Sequence, residues 1–190
     1  MILQFKPGFA AFMDAATEGW SLVAVRAPIE RVARVFQQRD EVLAYEEDVT
    51  FRPLRGHPQL QLERAERWAF LLQLAGNPWS VLLRTVDWIT PGDALGVRRW
   101  AAELSSRLVT EALSSVGAYH GAECRRFRFG QEVGRVDTDD PETDFLSFCA
   151  EHDFQLPACF IGGDEIQATL YLDDLAPAEL RRVDRLRIQA

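Results

Sequence analysis

Two short apolar runs near the middle of the chain dominate its hydrophobic pattern. They cover Trp68–Leu74 and Trp79–Val86, and the turn-forming residues Ala75–Pro78 separate them. Both runs are rich in aromatic and branched residues, which favours paired strands. One continuous helix would hold Pro78 in its interior, at a cost of about 3 kcal/mol. The pattern therefore predicts a central β-hairpin between Trp68 and Trp88.

Helical spacing of apolar residues predicts helices on both sides of this hairpin. After Pro28, apolar residues recur at positions i, i+3, i+4 and i+7, namely Ile29, Val32, Ala33 and Phe36. Thr90 and Pro91 are typical of a helix start. The stripe that follows them contains Val97, Trp100, Ala101, Leu104 and Leu108. Shorter helices are predicted within residues 1–19, from Asp140 to Leu156, and after Pro177.

Alternating polarity and turn residues predict the remaining strands. These are Trp20–Val25, a short exposed strand within Glu41–Val49, Glu111–Val116, Ala122–Phe129, Glu132–Val136, Ile166–Leu172 and a final segment with Val183, Leu186 and Ile188. Period-two alternation places Phe127 and Phe129 on the core face of their strand, with Arg126 and Arg128 facing solvent. The segment Arg52–Glu66, which contains two prolines and a glycine, is predicted to be a loop.

Short turns join most of these strands, and neither repeats nor linker-like segments interrupt them. Antiparallel strands accept such short connections, whereas parallel strands need long crossovers. We therefore predict an α+β fold in a single domain spanning residues 1–190, with a largely antiparallel sheet and helices packed on one face.

Composition and charge narrow the classes of function. Of the 190 residues 47% are hydrophobic, and the formal net charge is −8. This charge opposes binding to nucleic acid or to an anionic membrane, and it favours a basic protein partner. The start of the chain lacks the pattern of a secretory signal, and no apolar stretch reaches the roughly 18 residues of a membrane span. We expect a cytoplasmic protein with reduced cysteines.

The sharpest chemical candidates are His120, Cys124, Cys149 and His152. They form two pairs, His120-x-x-x-Cys124 and Cys149-x-x-His152, with Cys159 shortly after the second pair. Zinc takes four nitrogen or sulfur ligands, and i, i+3 spacing on a helix can present two of them. The same residues could supply a cysteine nucleophile and a histidine base. Because Cys149 lies beside Phe145 and Phe148, an ordinary buried thiol is favoured over both.

Other motifs give weaker signals. The acidic residues Asp137, Asp139, Asp140, Glu142 and Asp144 lack the spacing of a calcium-binding loop and are predicted to cap a helix and meet solvent. The glycine-containing segments lack a phosphate-binding lysine. Arg125–Phe129 interleaves basic and aromatic residues as RNA-binding sheets do, but its rings are predicted to face the core. We therefore assign no catalytic residue, no cofactor and no nucleic-acid partner.

Four segments between residues 68 and 160 follow one another in a recognisable order: Asn77–Arg84, a helix that ends in Leu104–Leu108, a strand and turn through Tyr119 and Gly121, and a helix leading to Leu156–Pro157. This order resembles uncharacterised bacterial α+β proteins, some of which look like immunity partners of secreted toxins. It implies tight, non-catalytic binding of a protein partner through acidic side chains. The alternative is an enzyme, or a small-ligand or metal-binding protein, with a pocket near His120, Cys149 and His152. The sequence does not decide between a monomer and a homodimer.

Overall fold

The computed structural model describes residues 20–53, 68–85, 91–118, 121–138, 151, 159–163, 168–172 and 179–189. In chain order the elements are β1 (Trp20–Val25), α1 (Ile29–Gln37), β2 (Val42–Glu46), β3 (Arg52–Pro53), β4 (Trp68–Leu74), β5 (Ser80–Thr85), α2 (Pro91–Arg107), β6 (Glu111–Ala118), β7 (Gly121–Arg128), β8 (Gln131–Thr138), β9 (Cys159–Gly163), β10 (Ala168–Leu172) and β11 (Leu180–Ile188).

The main sheet has eight antiparallel strands in the order β2-β11-β4-β5-β1-β6-β7-β8. The predicted hairpin forms β4 and β5, with Phe70 opposite Leu83, and lies inside the sheet between β11 and β1. Gly76 in its turn adopts a φ of +74°, a conformation that glycine tolerates better than other residues. The predictions of an α+β fold and of a largely antiparallel sheet are confirmed.

A second, smaller sheet has the order β3-β10-β9. Strand β10 pairs antiparallel with β9 and parallel with β3. The expectation that Arg52–Glu66 begins as a loop is therefore wrong for Arg52 and Pro53. A strand of two residues at a sheet edge accepts proline because the missing N–H interrupts no interior ladder. Residues 54–66 lie outside the described part of the chain.

Both faces of the central strands of the main sheet are buried. The helices α1 and α2 cover one face, where the core includes Val32, Phe36, Leu71, Trp100 and Leu104. The small sheet contributes Ala168, Leu170 and Leu172 to the core on the opposite face, where they join Phe70, Leu83 and other side chains of the hairpin. Strand β4 is buried along almost its entire length, which explains its continuous apolar run.

An aromatic and ionic contact joins the two helices. Phe36 of α1 meets Trp100 of α2 edge to face, with ring centroids 5.7 Å apart. The guanidinium of Arg39 lies 5.4 Å from the centre of the Trp100 ring and pairs with Glu41 at 2.8 Å and with Glu103 at 2.5 Å. The hydrogen bond from Arg39 lowers the pKa of Glu41 below its ordinary value. These contacts set the spacing of the helix layer.

The helix predictions agree with α1 and α2 within a residue or two. Pro28 precedes the first helical residue of α1 instead of occupying it. The helix predicted within residues 1–19 lies outside the described residues, as do Thr90 and the predicted helix start at Pro177. Of the helix predicted from Asp140, only Glu151 is described, and it is helical. Neither helix in the described ranges is long and apolar enough to cross a membrane.

Candidate functional site

Cys124 is the only one of the four predicted metal-ligand candidates that falls in the described part of the chain. Its side chain is 1% exposed, in the core that faces the small sheet, and its thiol donates to the Ser115 hydroxyl at 3.3 Å. His120, Cys149 and His152 lie outside the described residues, so their role stays a prediction. Within the described ranges, no cluster of three or more His, Cys, Asp or Glu side chains could hold a metal ion.

Phe129 occupies a different place from the one its sequence pattern predicts. Phe127 is buried in the core on the helix side, as expected, but Phe129 is 66% exposed. Strand β7 ends at Arg128 and β8 begins at Gln131, so Phe129 and Gly130 form a two-residue hairpin turn. Both have positive φ, at 51° and 82°, as a type I′ turn requires. The period-two rule fails here because the strand ends one residue earlier.

Val109 is exposed in a second tight turn, where α2 leads into β6. The N–H of Val109 donates to Ser106 O at 3.2 Å, and the N–H of Thr110 donates to Ser105 O at 3.0 Å. These two bonds form a Schellman motif, whose left-handed residue is usually glycine. Val109 takes that position with a φ of 53° and is 71% exposed. A branched residue in this conformation is a clear outlier that costs about 1–2 kcal/mol.

One buried serine holds both turns. The backbone carbonyl of Ser105 accepts from Thr110, and its Oγ accepts from the N–H of Gly130 at 2.7 Å. The Thr110 hydroxyl in turn donates to Arg26 O at 2.7 Å, which connects the turn to the end of β1. The two left-handed residues, Val109 and Phe129, are therefore held against the last turn of α2.

Several exposed arginine residues lie near these two turns in the chain or through backbone contacts. Arg26 and Arg128 both lie beside Glu111, the first residue of β6. The backbone N–H of Arg26 donates to Glu111 O at 2.9 Å, and Arg128 is the strand partner of Glu111 across β6 and β7. The Arg31 guanidinium donates to Leu108 O at 3.4 Å. We call the exposed residues Arg26, Arg31, Arg107, Val109, Arg128 and Phe129 the turn-pair surface.

An ion-pair network fastens the β7–β8 hairpin to α2. Arg98 of α2 and Arg125 of β7 both bind Glu123, with Nε distances of 2.6 and 2.7 Å to one carboxylate oxygen, and Arg125 also binds Glu132 of β8 at 2.7 Å. Burial opposes ionisation of Glu123, but the hydrogen bonds from Arg125 and Arg98 outweigh it, so the pKa of Glu123 lies below its ordinary value. These ion pairs therefore join both strands of the hairpin that presents Phe129 to α2.

A cleft of about 250 Å³ opens on the opposite face, between the two sheets. Its lining includes Glu46, Arg52, Phe70, Thr169 and Arg185. Arg185 already donates to Ala168 O at 2.8 Å and to Glu46 at 2.5 Å, and it lies 5.3 Å from the centre of the Trp68 ring. These internal contacts join the Arg185 side chain to strands of both sheets and to Trp68, so the arginine serves the packing of the two sheets.

A fully buried carboxylate, Asp184, lies under the other end of the helix layer. It accepts from the Tyr45 hydroxyl at 2.5 Å, from Arg182 Nε at 2.6 Å and from the N–H of Asp48 at 3.0 Å. Burial, and then the hydrogen bond to Asp184, raise the pKa of Tyr45 well above its ordinary value. The Asp184 carboxylate thus accepts three hydrogen bonds from within the protein, as expected of a structural network.

No family model, no curated protein and no solved structure matches this chain. The resemblance to immunity proteins therefore stays an expectation, and function has to be argued from the chain's own surface. Among the described features, the turn-pair surface combines left-handed backbone geometry with exposed apolar side chains.

The sequence patterns did not predict that Val109 and Phe129 are exposed in tight turns. Their signals were present but weak: an apolar residue directly after the last helical turn of α2, and Phe129-Gly130 between two alternating segments. Asn, Asp or Gly usually occupy these left-handed positions. A valine after α2 and a phenylalanine after β7 therefore give no turn signal, and the patterns assign them to the end of the helix and the end of the strand.

Proposed function

We propose that this protein is a non-catalytic, cytoplasmic binding protein that holds a protein partner on its turn-pair surface. The observation that carries the proposal is that Val109 and Phe129 are both exposed, both left-handed and both tied to Ser105. An immunity-type role, with a secreted toxin as partner, is the specific form that the sequence resemblance implies.

Two exposed turn residues of this protein, Val109 and Phe129, carry backbone strain. Left-handed geometry at Val109 and Phe129 costs about 1–2 kcal/mol per residue. Burial of the side chains does not offset this cost, because 71% of Val109 and 66% of Phe129 remain exposed. Strain of this kind concentrates at functional sites, where the surrounding structure enforces it. Recognition of a partner supplies the missing reason for two apolar residues at positions that suit glycine or asparagine.

Preorganisation supports the same proposal. Ordering of loops and side chains reduces the affinity of flexible binding surfaces, whereas a rigid surface avoids that cost. Here Ser105 fastens both turns, and the network of Arg98, Glu123 and Arg125 fastens the hairpin behind them. Aromatic and arginine side chains, which this surface presents together, are the residues that most often dominate binding energy at protein interfaces.

Site-specific crosslinking tests the proposal. A photoreactive phenylalanine analogue is introduced at position 129 of the full chain in its source cells, and at position 95 as a matched control. Leu95 is also exposed, at 61%, but lies in the first turns of α2. We expect one discrete crosslinked protein from position 129 and none from position 95. Equal products from both positions, or none from position 129, would overturn the proposal.

A variant that relieves strain separates loss of binding from loss of folding. Val109→Asn places a residue that tolerates left-handed geometry at this position, so we expect a stability gain of roughly 0.5–1 kcal/mol. The same change removes an apolar contact, so the crosslink from position 129 should weaken. An unchanged crosslink from this better-folded variant would show that Val109 takes no part in binding.

Small-ligand binding is a second candidate, because the cleft between the sheets combines an aromatic floor, Phe70, with the charged groups of Glu46 and Arg52. It would make the protein a ligand carrier or sensor, the alternative that the sequence left open. Native mass spectrometry of the purified protein tests it. A non-covalent mass that Phe70→Ala removes would favour this candidate, and a bare protein mass would count against it.

A further inference from the structure

We infer that the main sheet has a binding site beside Trp68 for a small oxyanion ligand, a molecule with a carboxylate or phosphate group, and that Arg187 binds this group. The site lies on the face that packs against the small sheet, away from both helices. The inference does not rest on the partner proposed for the turn-pair surface. It gives a ligand class to the second candidate function, which places a small ligand in the cleft between the sheets.

Two arginines of β11 pack on the ring of Trp68. Arg187 is the strand partner of Trp68, and Arg185 is the strand partner of Phe70, so both arginines lie beside β4. Their guanidinium carbons lie 6.0 Å and 5.3 Å from the centre of the Trp68 ring. Cation–π attraction holds a guanidinium over an indole ring. The ring therefore positions both guanidiniums at one place on the sheet.

The two arginines differ in the partners of their N–H groups. Arg185 donates to Ala168 O at 2.8 Å and to Glu46 at 2.5 Å. Arg187 has neither a hydrogen-bond acceptor nor a carboxylate partner within the described ranges. Six other buried or half-buried arginines each bind a carboxylate, namely Arg39, Arg98, Arg125, Arg126, Arg182 and Arg185. The positive charge of Arg187 is therefore left for a ligand.

The unused polar groups around Trp68 are all hydrogen-bond donors. The indole Nε1 of Trp68 and the Nε atoms of Arg185 and Arg187 are buried and have no acceptor. Trp68 itself is only 4% exposed. Tryptophan and arginine side chains offer N–H groups and no acceptor, so a metal ion or a cationic ligand does not suit this set. An oxyanion supplies both acceptors and negative charge, and a guanidinium binds it through two parallel hydrogen bonds.

The site is accessible to a small molecule. Arg187 is half-buried, and its two terminal nitrogens are not among its buried atoms. Arg185, two residues earlier in β11, lines the cleft of about 250 Å³ together with Phe70. This volume lies just below the roughly 300–1,000 Å³ of ordinary ligand pockets, which favours a small molecule. The net charge of −8 opposes a polyanion such as a nucleic acid.

Titration of the full chain with sodium phosphate and with sodium acetate tests the inference, and sodium chloride at equal ionic strength is the control. The signal is the indole N–H resonance of Trp68 in a proton–nitrogen NMR spectrum, assigned by its loss in Trp68→Phe. We expect a saturable shift with at least one oxyanion, and the one that binds identifies the ligand group. The resonance of Trp100, on the helix side, should not move. An equal shift with chloride, or no saturable shift with either oxyanion, would overturn the inference.

Two matched variants assign the binding to Arg187. Arg187→Gln should weaken the affinity at least about tenfold, because it removes hydrogen bonds to a charged group. Arg34→Gln makes the same charge change at an exposed arginine of α1 and should bind like wild type. Thermal unfolding verifies that both are folded. If Arg187→Gln does not fold, Arg187→Lys replaces it and should also bind more weakly, because an ammonium lacks the planar fork of a guanidinium. Wild-type affinity in the folded Arg187 variant would refute the site.

The crosslink from position 129 separates this inference from the proposed partner surface. Arg187→Gln should leave that crosslink unchanged, because Arg187 lies in β11 and Phe129 lies beyond β7. A missing crosslink in the wild type refutes the partner surface and leaves the oxyanion site standing. A normal crosslink without oxyanion binding refutes the site and leaves the partner surface standing.

Discussion

Ser105 and Gly130 are joined by a 2.7 Å hydrogen bond, in which the backbone N–H of Gly130 donates to the buried Ser105 hydroxyl oxygen. The hydroxyl itself donates to Ala102 O at 3.1 Å, one turn earlier in α2. A side chain on the last turn of a helix thus determines where a hairpin turn between two strands lies. This contact links the two turns whose residues carry the proposed function.

Replacement of Ser105 by alanine should loosen the hairpin turn. Ser105→Ala leaves the Gly130 N–H without its acceptor, and we expect a loss of about 1–3 kcal/mol in the free energy of unfolding. Urea unfolding measures the loss, and hydrogen exchange at residues 129–131 should accelerate. The matched control is Ser106→Ala, since Ser106 is exposed, and its stability should stay within about 0.5 kcal/mol of wild type. Equal effects of the two variants would refute the role of Ser105.

Two glycines should respond in opposite ways to alanine. Gly130 has a φ of +82°, and an added Cβ would lie 3.0 Å from Ser106 Cβ, so Gly130→Ala should destabilise by about 1–2 kcal/mol. Gly96 lies inside α2 with nothing within 4 Å of an added Cβ. Gly96→Ala should therefore stabilise by about 0.5–1 kcal/mol. Thermal unfolding of both variants checks the signs, and a destabilised Gly96→Ala would contradict the described packing of α2.

The hydroxyl of Tyr45 should stabilise the fold in a pH-dependent way. Tyr45→Phe removes one hydrogen bond to the buried Asp184 carboxylate, at a cost of about 1.5–3 kcal/mol near neutral pH. The pKa of Tyr45 is raised in the folded state, so its contribution is fully present below the ordinary value of 10.0 and is lost as pH rises above it.

Unfolding curves of wild type and Tyr45→Phe at pH 7 and at increasing alkaline pH measure this contribution. The difference in stability between the two should shrink above pH 10.0. A constant difference across that range would mean that the hydrogen bond between Tyr45 and Asp184 does not govern the titration.

Acid should weaken the attachment of the β7–β8 hairpin. The pKa of Glu123 is lowered in the folded state, so its contribution is present above the ordinary value of 4.5 and is lost as pH falls below it. Glu123→Gln should cost about 1–3 kcal/mol at pH 7, and the difference from wild type should narrow in acid. The control Glu151→Gln changes an exposed carboxylate and should match wild type at both pH values.

The thiol of Cys124 should be inert in the folded protein. It is 1% exposed and donates to Ser115, so a maleimide reagent should modify it only after unfolding. Peptide mapping by mass spectrometry, with and without urea, measures this modification. Rapid labelling of Cys124 in the native protein would indicate an opening of the sheet on that side and would revive its candidacy as a metal ligand.

The central hairpin and both described helices could be predicted because local patterns specify them. The turn Ala75–Pro78 between two apolar runs excludes one long helix, and the stripes on α1 and α2 follow the helical repeat closely. The second sheet could not be predicted in the same way. Its strand β3 has two residues and pairs in parallel with β10, far along the chain, and such short distant partners leave no periodic signal.

The sequence by itself determined the central hairpin, the two described helices, most strands of the main sheet and the α+β class, because apolar spacing and turn residues act over a few neighbouring positions. Only the tertiary structure decided the environment of the proposed binding surface. Val109 and Phe129 are apolar and follow core-forming segments, so local rules assign them to the core. Both are left-handed and exposed instead: the local hydrogen bonds that end α2 close the turn of Val109, and the Ser105 hydroxyl, 25 residues before Gly130, holds the turn of Phe129.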